Sequence, residues 1–205
     1  MGLYREQILP RVQDKVMSVA RMRDVRARVC AGLKGHVVEI GFGTGLNATY
    51  YPGEVTKVYA VEPSRVCMRI ARPRIEQAAV PVDAAGLTGE RLDLPSGAFD
   101  AVLSTWTLCT IPDVQSALAE LRRVLKPGGT LHFVEHGHAP DPAVARWQHR
   151  IEPVWKPIAG GCHLTRRIDE LIEGAGFAVE SMDRYFMDGE PKSFGYTFEG
   201  RATKP

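Results

Sequence analysis

The feature that most constrains the fold is an apolar strand that runs directly into three closely spaced glycines. Residues 37–40 are Val-Val-Glu-Ile, and glycines follow at positions 41, 43 and 45. β-Branched residues favour a strand that is covered on both faces, and glycine allows a sharp turn because it has no Cβ. A second apolar strand is predicted over residues 58–61. This order predicts an α/β sheet with a nucleoside-binding crevice and a short helix between the two strands.

Two carboxylates flank this glycine turn. Glu39 lies two residues before the first glycine, in the pattern E-x-G-x-G-x-G, and Glu62 ends the second strand. A dinucleotide-binding turn has the pattern G-x-G-x-x-G and holds a pyrophosphate, but the sixth position here is Leu46. Because Glu39 is a poor neighbour for a pyrophosphate, it favours a ligand that carries an ammonium and a sulfonium group. Glu62 is placed to accept hydrogen bonds from ribose hydroxyls.

Composition and charge narrow the class of protein. The 205 residues suffice for one α/β domain, and 44% hydrophobic with 24% charged residues is ordinary for a globular chain. A net charge of +2 is too small to indicate a nucleic-acid partner. We expect a cytoplasmic protein with no signal peptide, no membrane span and no metal site, because no cysteine spacing resembles a disulfide framework or a zinc pattern. The four cysteines are Cys30, Cys67, Cys109 and Cys162.

Strand and helix patterns alternate along the chain, which predicts a parallel sheet with helices on both faces. Further strands are predicted over residues 81–87, 101–104, 130–134, 177–182 and 196–200. Helices are predicted over residues 4–33, 64–77, 113–126, 142–155 and 168–173. Pro73 is expected to end or kink its helix. The basic run over residues 21–28 is interpreted as a solvated helix face.

Several segments together resemble a known family. The glycine turn with Glu39 and Glu62 is similar to the first motifs of the class I S-adenosylmethionine-dependent methyltransferases, in the type 11 or UbiE-like subgroup. The segments that resemble the later motifs are residues 89–95, 99–104 and 125–129. A narrower resemblance, to a methyltransferase-like group that includes alkyl thiol S-methyltransferases, comes from residues 107–113, 135–137, 147–148 and 160–165.

The resemblance implies one Rossmann-like, doubly wound domain. Its seven-stranded sheet would be mostly parallel with the last strand antiparallel, and helices would cover both faces. Within residues 1–205, the expected parts are an N-terminal helical lid (1–33), a cofactor-binding core (35–135), a substrate-side insertion (136–175) and C-terminal strands (176–205).

The resemblance also implies the cofactor, S-adenosyl-L-methionine, with S-adenosyl-L-homocysteine as product. Glu39 would hold its ammonium group, Glu62 its ribose, and Glu90 its adenine amine, with Trp106 against adenine or the sulfur. The full set of expected cofactor-binding residues is Glu39, Gly41, Gly43, Gly45, Asn47, Glu62, Pro63, Gly89, Glu90, Thr105 and Trp106.

The acceptor is expected above the carboxyl ends of the fourth and fifth strands. His136, which leaves the fifth strand there, is the first candidate for a general base, and His163 is the second. The expected substrate-pocket residues are Tyr4, Cys109, Glu135, Trp147 and Cys162. The leading hypothesis is methylation of a small molecule, with a thiol as acceptor. The alternatives are O- or N-methylation of a quinone, phenol, amine or lipid, a non-catalytic nucleoside-binding module, and an NAD-dependent oxidoreductase. The oligomeric state stays open.

Overall fold

A seven-stranded sheet organises the described part of the chain, residues 3–86 and 89–205 of a computed structural model. The strands are β1 (Gly35–Ile40), β2 (Val55–Val61), β3 (Val82–Gly86), β4 (Phe99–Thr105), β5 (Leu125–His136), β6 (Ala178–Phe186) and β7 (Tyr196–Thr203). Their order is β3-β2-β1-β4-β5-β7-β6. Neighbouring strands are parallel except for β7, which runs antiparallel to both β5 and β6. The prediction of a mostly parallel sheet with an antiparallel last strand is confirmed.

Helices cover the sheet on both faces. After a π-helical turn at Tyr4–Ile8 they are α1 (Leu9–Met17), α2 (Ala20–Cys30), α3 (Arg65–Gln77), α4 (Val114–Val124), α5 (Pro142–Ile158) and α6 (Ile168–Gly174). Side-chain oxygens cap three of them, because the first amides of a helix have no partner within it. Ser64 accepts from the amide of Cys67 at 3.2 Å, and Asp113 accepts from that of Ser116 at 3.0 Å. Asp141 caps α5 in the same way.

Two apolar cores lie against the two faces of the sheet. Successive side chains of a strand point to opposite faces, so the neighbours Val37 and Val38 belong to different cores. The core with Val38 includes buried side chains of α4 and α6. The core with Val37 includes buried side chains of α2 and α3, and side chains of α5 pack on it. This arrangement confirms the doubly wound architecture.

The predicted short helix between β1 and β2 is wrong, because residues 41–54 form turns. Gly41, Gly43 and Gly45 have φ values of 64°, 58° and 76°, which a right-handed helix cannot contain. The residues between Gly45 and Pro52 are too few for a stable helix, and the residue that precedes a proline is disfavoured in the helical region.

The N-terminal segment is also not one helix. It is broken at Ser18 and Val19, where Val19 has an extended ψ of 156°. In contrast, α3 continues through Pro73 to Gln77, so the proline does not end it. The predicted end of the third strand at residue 87, and residue 88 of the following turn, lie outside the described residues. Among the described residues, no helix is both long and apolar enough to cross a bilayer.

Candidate active site

The glycine turn leaves β1 at the carboxyl edge of the sheet and has room on one side only. A Cβ at Gly41 would overlap the side chain of Thr107, and one at Gly45 would press on Phe42 and Ala71. A Cβ at Gly43 would meet only the carbonyl oxygen of Gly41, at 3.7 Å. The turn therefore packs against the protein at both ends and is open at its middle.

Glu39 is buried beside this turn at the centre of a hydrogen-bond network. The Nδ2 of Asn47 donates to its carboxylate at 2.9 Å, and the hydroxyl of Tyr51 donates to its other oxygen. The same Nδ2 donates to the Thr105 hydroxyl at 3.0 Å, which links β1 to the end of β4. Burial raises the pKa of Glu39 to about 7, although these hydrogen bonds and the Arg26 guanidinium oppose the shift.

Arg26 reaches the same network, so the interpretation of the basic run as a solvated face is wrong at this residue. Its side chain is buried, and its Nη1 donates to Asn47 Oδ1 at 2.6 Å. Its guanidinium lies 5.0 Å from the centre of the Trp106 ring, and its buried Nε has no partner among the described residues. Helical spacing from the buried Met22 is the signal that could have identified it, since positions four apart share a face.

The second carboxylate, Glu62, lies half-buried at the end of β2. It accepts from the amide of Gly43 at 2.9 Å and from that of Ser64 at 2.8 Å. Because a carboxylate offers about four acceptor sites, Glu62 retains capacity for a ligand hydroxyl. Burial raises its pKa, and the two amide hydrogen bonds oppose that shift. Pro63 beside it is exposed.

The turn after β3 lies at the same edge of the sheet. Gly89 is buried there, and a Cβ on it would come within 3.1 Å of Ile111. Glu90 follows and is half-buried. Gly89 therefore packs against the loop between β4 and α4, which follows the strand next to β1.

Trp106, the first residue after β4, has an unusual backbone conformation. Its φ is 51°, the one positive value of a non-glycine residue among those described. Its amide donates to the Val134 carbonyl at 2.7 Å, which holds this conformation against β5. Its buried ring lies 6.3 Å from the ring of His136, centre to centre. Such strain is typical of functional positions, where the surroundings enforce it.

Cys109, His136 and Cys162 come together beyond β4 and β5. One ligating atom from each lies within 4.8 Å of the others, and Cys162 Sγ is 3.7 Å from His136 Nδ1. Both thiols are buried. A hydrogen bond from Cys109 and then the imidazole of His136 lower the pKa of Cys162, whereas that hydrogen bond and burial raise the pKa of Cys109. From the sequence, His136 was predicted as a general base and the two cysteines as substrate-pocket residues, and the fold brings all three into one cluster.

Glu135 is fully buried next to this cluster and hydrogen-bonds the loop that carries Cys109. Its carboxylate accepts from the Ser104 hydroxyl at 2.7 Å and from the amides of Thr107 and Cys109 at 3.1 and 3.0 Å. These bonds order the loop after β4 around one side chain. Glu135 therefore supports the cluster and does not line an open pocket.

Three predicted residues stand apart from the cluster. The imidazole of His163 points to α5, with Nδ1 3.4 Å from the Glu152 carboxylate. Trp147 is 58% exposed on the outer face of α5, so the prediction that it walls the acceptor pocket is not supported. Tyr4 is partly exposed, and its hydroxyl donates to the Ile158 carbonyl at 2.7 Å.

Comparisons with known proteins identify the family of this chain. Residues 38–133 match the family model described as a methyltransferase domain. Thiol S-methyltransferase TMT1B of Homo sapiens is 34% identical over 185 residues, which cover 86% of this chain and 75% of the relative. The protein of that name from Rattus norvegicus is 37% identical over 153 residues, which cover 72% of this chain and 62% of the relative. The chain thus spans less than two thirds of the rat protein.

A solved structure agrees as well. The SAM-dependent methyltransferase of Thermotoga maritima is similar with a TM-score of 0.66 and 25% identity, covering 98% of this chain and 100% of that one.

The cofactor that this similarity implies carries an ammonium group and a carboxylate at its amino-acid end. The residues beside the glycine turn fit both charges, because they include the carboxyl group of Glu39 and the guanidinium of Arg26, whose buried Nε has no partner among the described residues. The chain belongs to the S-adenosylmethionine-dependent methyltransferase family.

Proposed function

We propose that this methyltransferase acts on a small-molecule thiol. The main support for the cofactor assignment is a buried hydrogen-bond chain beside the glycine turn. In it, the Asn47 side-chain amide donates to the Glu39 carboxylate and accepts from the Arg26 guanidinium. The thiol half is supported by the relatives at 34% and 37% identity that are named thiol S-methyltransferases. The free, buried cysteines suit a reducing compartment, and we propose the cytoplasm.

Each charged residue has a matching group on S-adenosylmethionine. Glu39 would hold the ammonium group, and Arg26 the carboxylate, because opposite charges are strongly favoured where water is excluded. Glu62 would take the ribose hydroxyls through its remaining acceptor sites. Glu90 would take the adenine amine, and the open middle of the turn at Gly43 would admit the backbone of the ligand.

The remaining work of the chain is positioning. S-adenosylmethionine supplies a methyl group on a positively charged sulfur, so the protein needs no covalent intermediate. Thr105 and Trp106 lie between the glycine turn and the Cys109–His136–Cys162 cluster, because β4 lies between β1 and β5. The acceptor would enter beside that cluster, whose apolar surroundings exclude water. Holding the acceptor and the methyl donor in line lowers the activation free energy of methyl transfer substantially.

Calorimetric titration with S-adenosylmethionine and S-adenosylhomocysteine tests the cofactor assignment. We expect binding that weakens about tenfold or more in Glu62→Ala and Arg26→Met, since each loses a charged hydrogen bond worth roughly 1.5–3 kcal/mol. Glu54→Ala removes an exposed carboxylate in the loop before β2 and should bind like the wild type. If neither nucleoside binds the wild-type protein, the methyltransferase proposal fails.

A panel of acceptors tests the substrate class. Small alkyl and aryl thiols are compared with phenols and amines of similar size, with S-adenosylhomocysteine formation as the readout. We expect turnover with thiols. Turnover restricted to phenols or amines would leave the cofactor assignment in place and overturn the thiol.

A further inference from the structure

We propose that Cys109, His136 and Cys162 form a three-ligand zinc site, and that its fourth position takes the sulfur of the thiol acceptor. The metal site stands on the geometry of the cluster alone, whereas the acceptor part rests on the proposed function. This assignment replaces the expectation of no metal, and it makes His136 a metal ligand where the sequence suggested a general base.

The separations within the cluster suit one soft metal ion. Ligands on a tetrahedral zinc lie about 3.8 Å apart when Zn–S is roughly 2.3 Å. Cys162 Sγ and His136 Nδ1 are 3.7 Å apart, and all three ligating atoms lie within 4.8 Å of one another. Small side-chain rotations would therefore bring them to bonding distance. Thiolates and imidazoles bind zinc in preference to magnesium or calcium, which take oxygen ligands.

Other groups already hold the loops of the two cysteine ligands in place. The amide of Cys109 donates to Glu135, and its carbonyl accepts from the amide of His163 at 2.8 Å, which ties the loop after β4 to the loop that carries Cys162. Arg166 donates to the carbonyls of Leu108 and Ile111 on either side of Cys109. A metal site gains affinity when its ligands are fixed in advance by such contacts.

The number of ligands indicates an open site. Structural zinc sites have four protein ligands, whereas catalytic sites have three and leave one position for water or substrate. Within residues 3–86 and 89–205, the cluster contains three potential ligands and no fourth from His, Cys, Asp or Glu. An external ligand would complete the tetrahedron, and a thiolate is the softest that the proposed substrate class offers.

The location of the cluster gives the metal a role in methyl transfer. It lies beyond β4 and β5, one to two strands from the glycine turn on β1, which is roughly 5–10 Å at about 4.8 Å per strand. A thiol bound to zinc releases its proton to solvent. The thiolate sulfur then forms a bond to the methyl carbon while the bond from that carbon to the sulfonium sulfur breaks, and the neutral thioether leaves the metal.

Cobalt substitution tests the metal site independently of turnover. The full chain is freed of metal under reducing conditions and titrated with Co²⁺ and then with Zn²⁺. We expect one equivalent of Co²⁺ to give thiolate-to-cobalt absorption that Zn²⁺ abolishes. Cys109→Ser, Cys162→Ser and His136→Gln should lose or shift that absorption, whereas the matched control Cys67→Ser, on α3, should retain it. Unchanged binding of S-adenosylhomocysteine shows that each variant is folded.

Adding 2-mercaptoethanol to the cobalt form tests the fourth position. A changed visible spectrum, together with loss of thiol turnover on metal removal and its recovery with Zn²⁺, is the expected result. No cobalt absorption in the wild type, or absorption that survives Cys162→Ser, would overturn the metal site. Equal thiol turnover with and without zinc would overturn the role in methyl transfer while the methyltransferase assignment stands. Bound cobalt that ignores the added thiol would refute the open fourth position.

Discussion

Trp106 shows how single residues near the site carry backbone strain. A positive φ at a bulky residue costs roughly 1–3 kcal/mol, and here the hydrogen bond to Val134 and the guanidinium of Arg26 near the ring offset it. The strained residue stands between the glycine turn and the Cys109–His136–Cys162 cluster. The protein tolerates this cost because the Trp106 ring is buried between neighbours that include Arg26 and His136.

The glycines of the turn should separate folding from ligand binding. An alanine with positive φ costs about 1–2 kcal/mol, which lowers the Tm of a chain of this size by roughly 2–8 °C. We expect this loss in Gly43→Ala and a larger one in Gly41→Ala, whose added Cβ overlaps Thr107. Gly43→Ala should also bind S-adenosylhomocysteine more weakly, because its methyl group occupies the open side of the turn.

Thermal unfolding and calorimetry measure the two effects. Gly53→Ala is the control, because a Cβ there meets nothing within 4 Å and its φ is not positive. Wild-type affinity in Gly43→Ala would contradict the approach of the cofactor at this residue.

Helix α1 contacts the glycine turn through an ion pair with α3. Asp14 on α1 pairs with Arg74 on α3 at 2.6 Å, and the same Arg74 nitrogen donates to the Thr44 carbonyl within the glycine turn at 2.8 Å. Helix α1 is otherwise largely exposed, with Val12 and Val16 about half accessible to solvent. Within the predicted lid, α1 is therefore connected to the glycine turn through the Asp14–Arg74 ion pair, and α2 through the hydrogen bond from Arg26 to Asn47.

Removing this ion pair should loosen the turn more than it destabilises the chain. In Asp14→Ala we expect a loss of about 1 kcal/mol in unfolding free energy, since the pair is partly exposed and screened. Affinity for S-adenosylhomocysteine should fall several-fold, because Arg74 no longer has a partner that orients it toward Thr44. Calorimetry compares this variant with Asp24→Ala, an exposed acid on α2. Equal affinity in both variants would refute the link between α1 and the turn.

The parallel strands place several carboxyl groups at one edge of the sheet, where burial makes their ionised forms unfavourable. Three carboxylates lie within one residue of the ends of β1, β2 and β5, namely those of Glu39, Glu62 and Glu135, and burial raises the pKa of each. All three hydrogen-bond loop or side-chain donors at the carboxyl edge, where the crevices of α/β sheets lie. The stability of the whole molecule should therefore depend on pH.

Glu39 allows that dependence to be measured. Its pKa is near 4.5 when unfolded and about 7 when folded, so the stabilisation is complete below pH 4.5 and is lost as the pH rises through 7. The loss is on the order of 3 kcal/mol. Arg26, Tyr51 and Cys30 are the ionisable neighbours of this carboxyl.

Denaturant unfolding between pH 4.5 and 8 compares the wild type with Glu39→Gln. The glutamine keeps an acceptor for Tyr51 and cannot ionise, so its unfolding free energy should fall less over this range. Parallel curves for the two proteins would show that burial does not shift the pKa of Glu39.

The sequence predicted the features that depend on interactions between residues close together in the chain. The alternation of strands and helices along the chain and a turn that needs three glycines depend on neighbouring residues and were predicted. The break at Ser18 and Val19 was missed, because the hydrophobic period of the segment continues across it.

The composition of the site depended on the tertiary structure. Cys109, His136 and Cys162 are separated by more than twenty residues each, and only the adjacency of β4, β5 and the loop after α5 brings their side chains together. Arg26 belongs to a basic run by its neighbours, yet packing of α2 on the sheet buries it beside Asn47. Local patterns determine which segments become strands and helices, whereas contacts between distant segments determine which side chains meet, because those contacts form only when the sheet is complete.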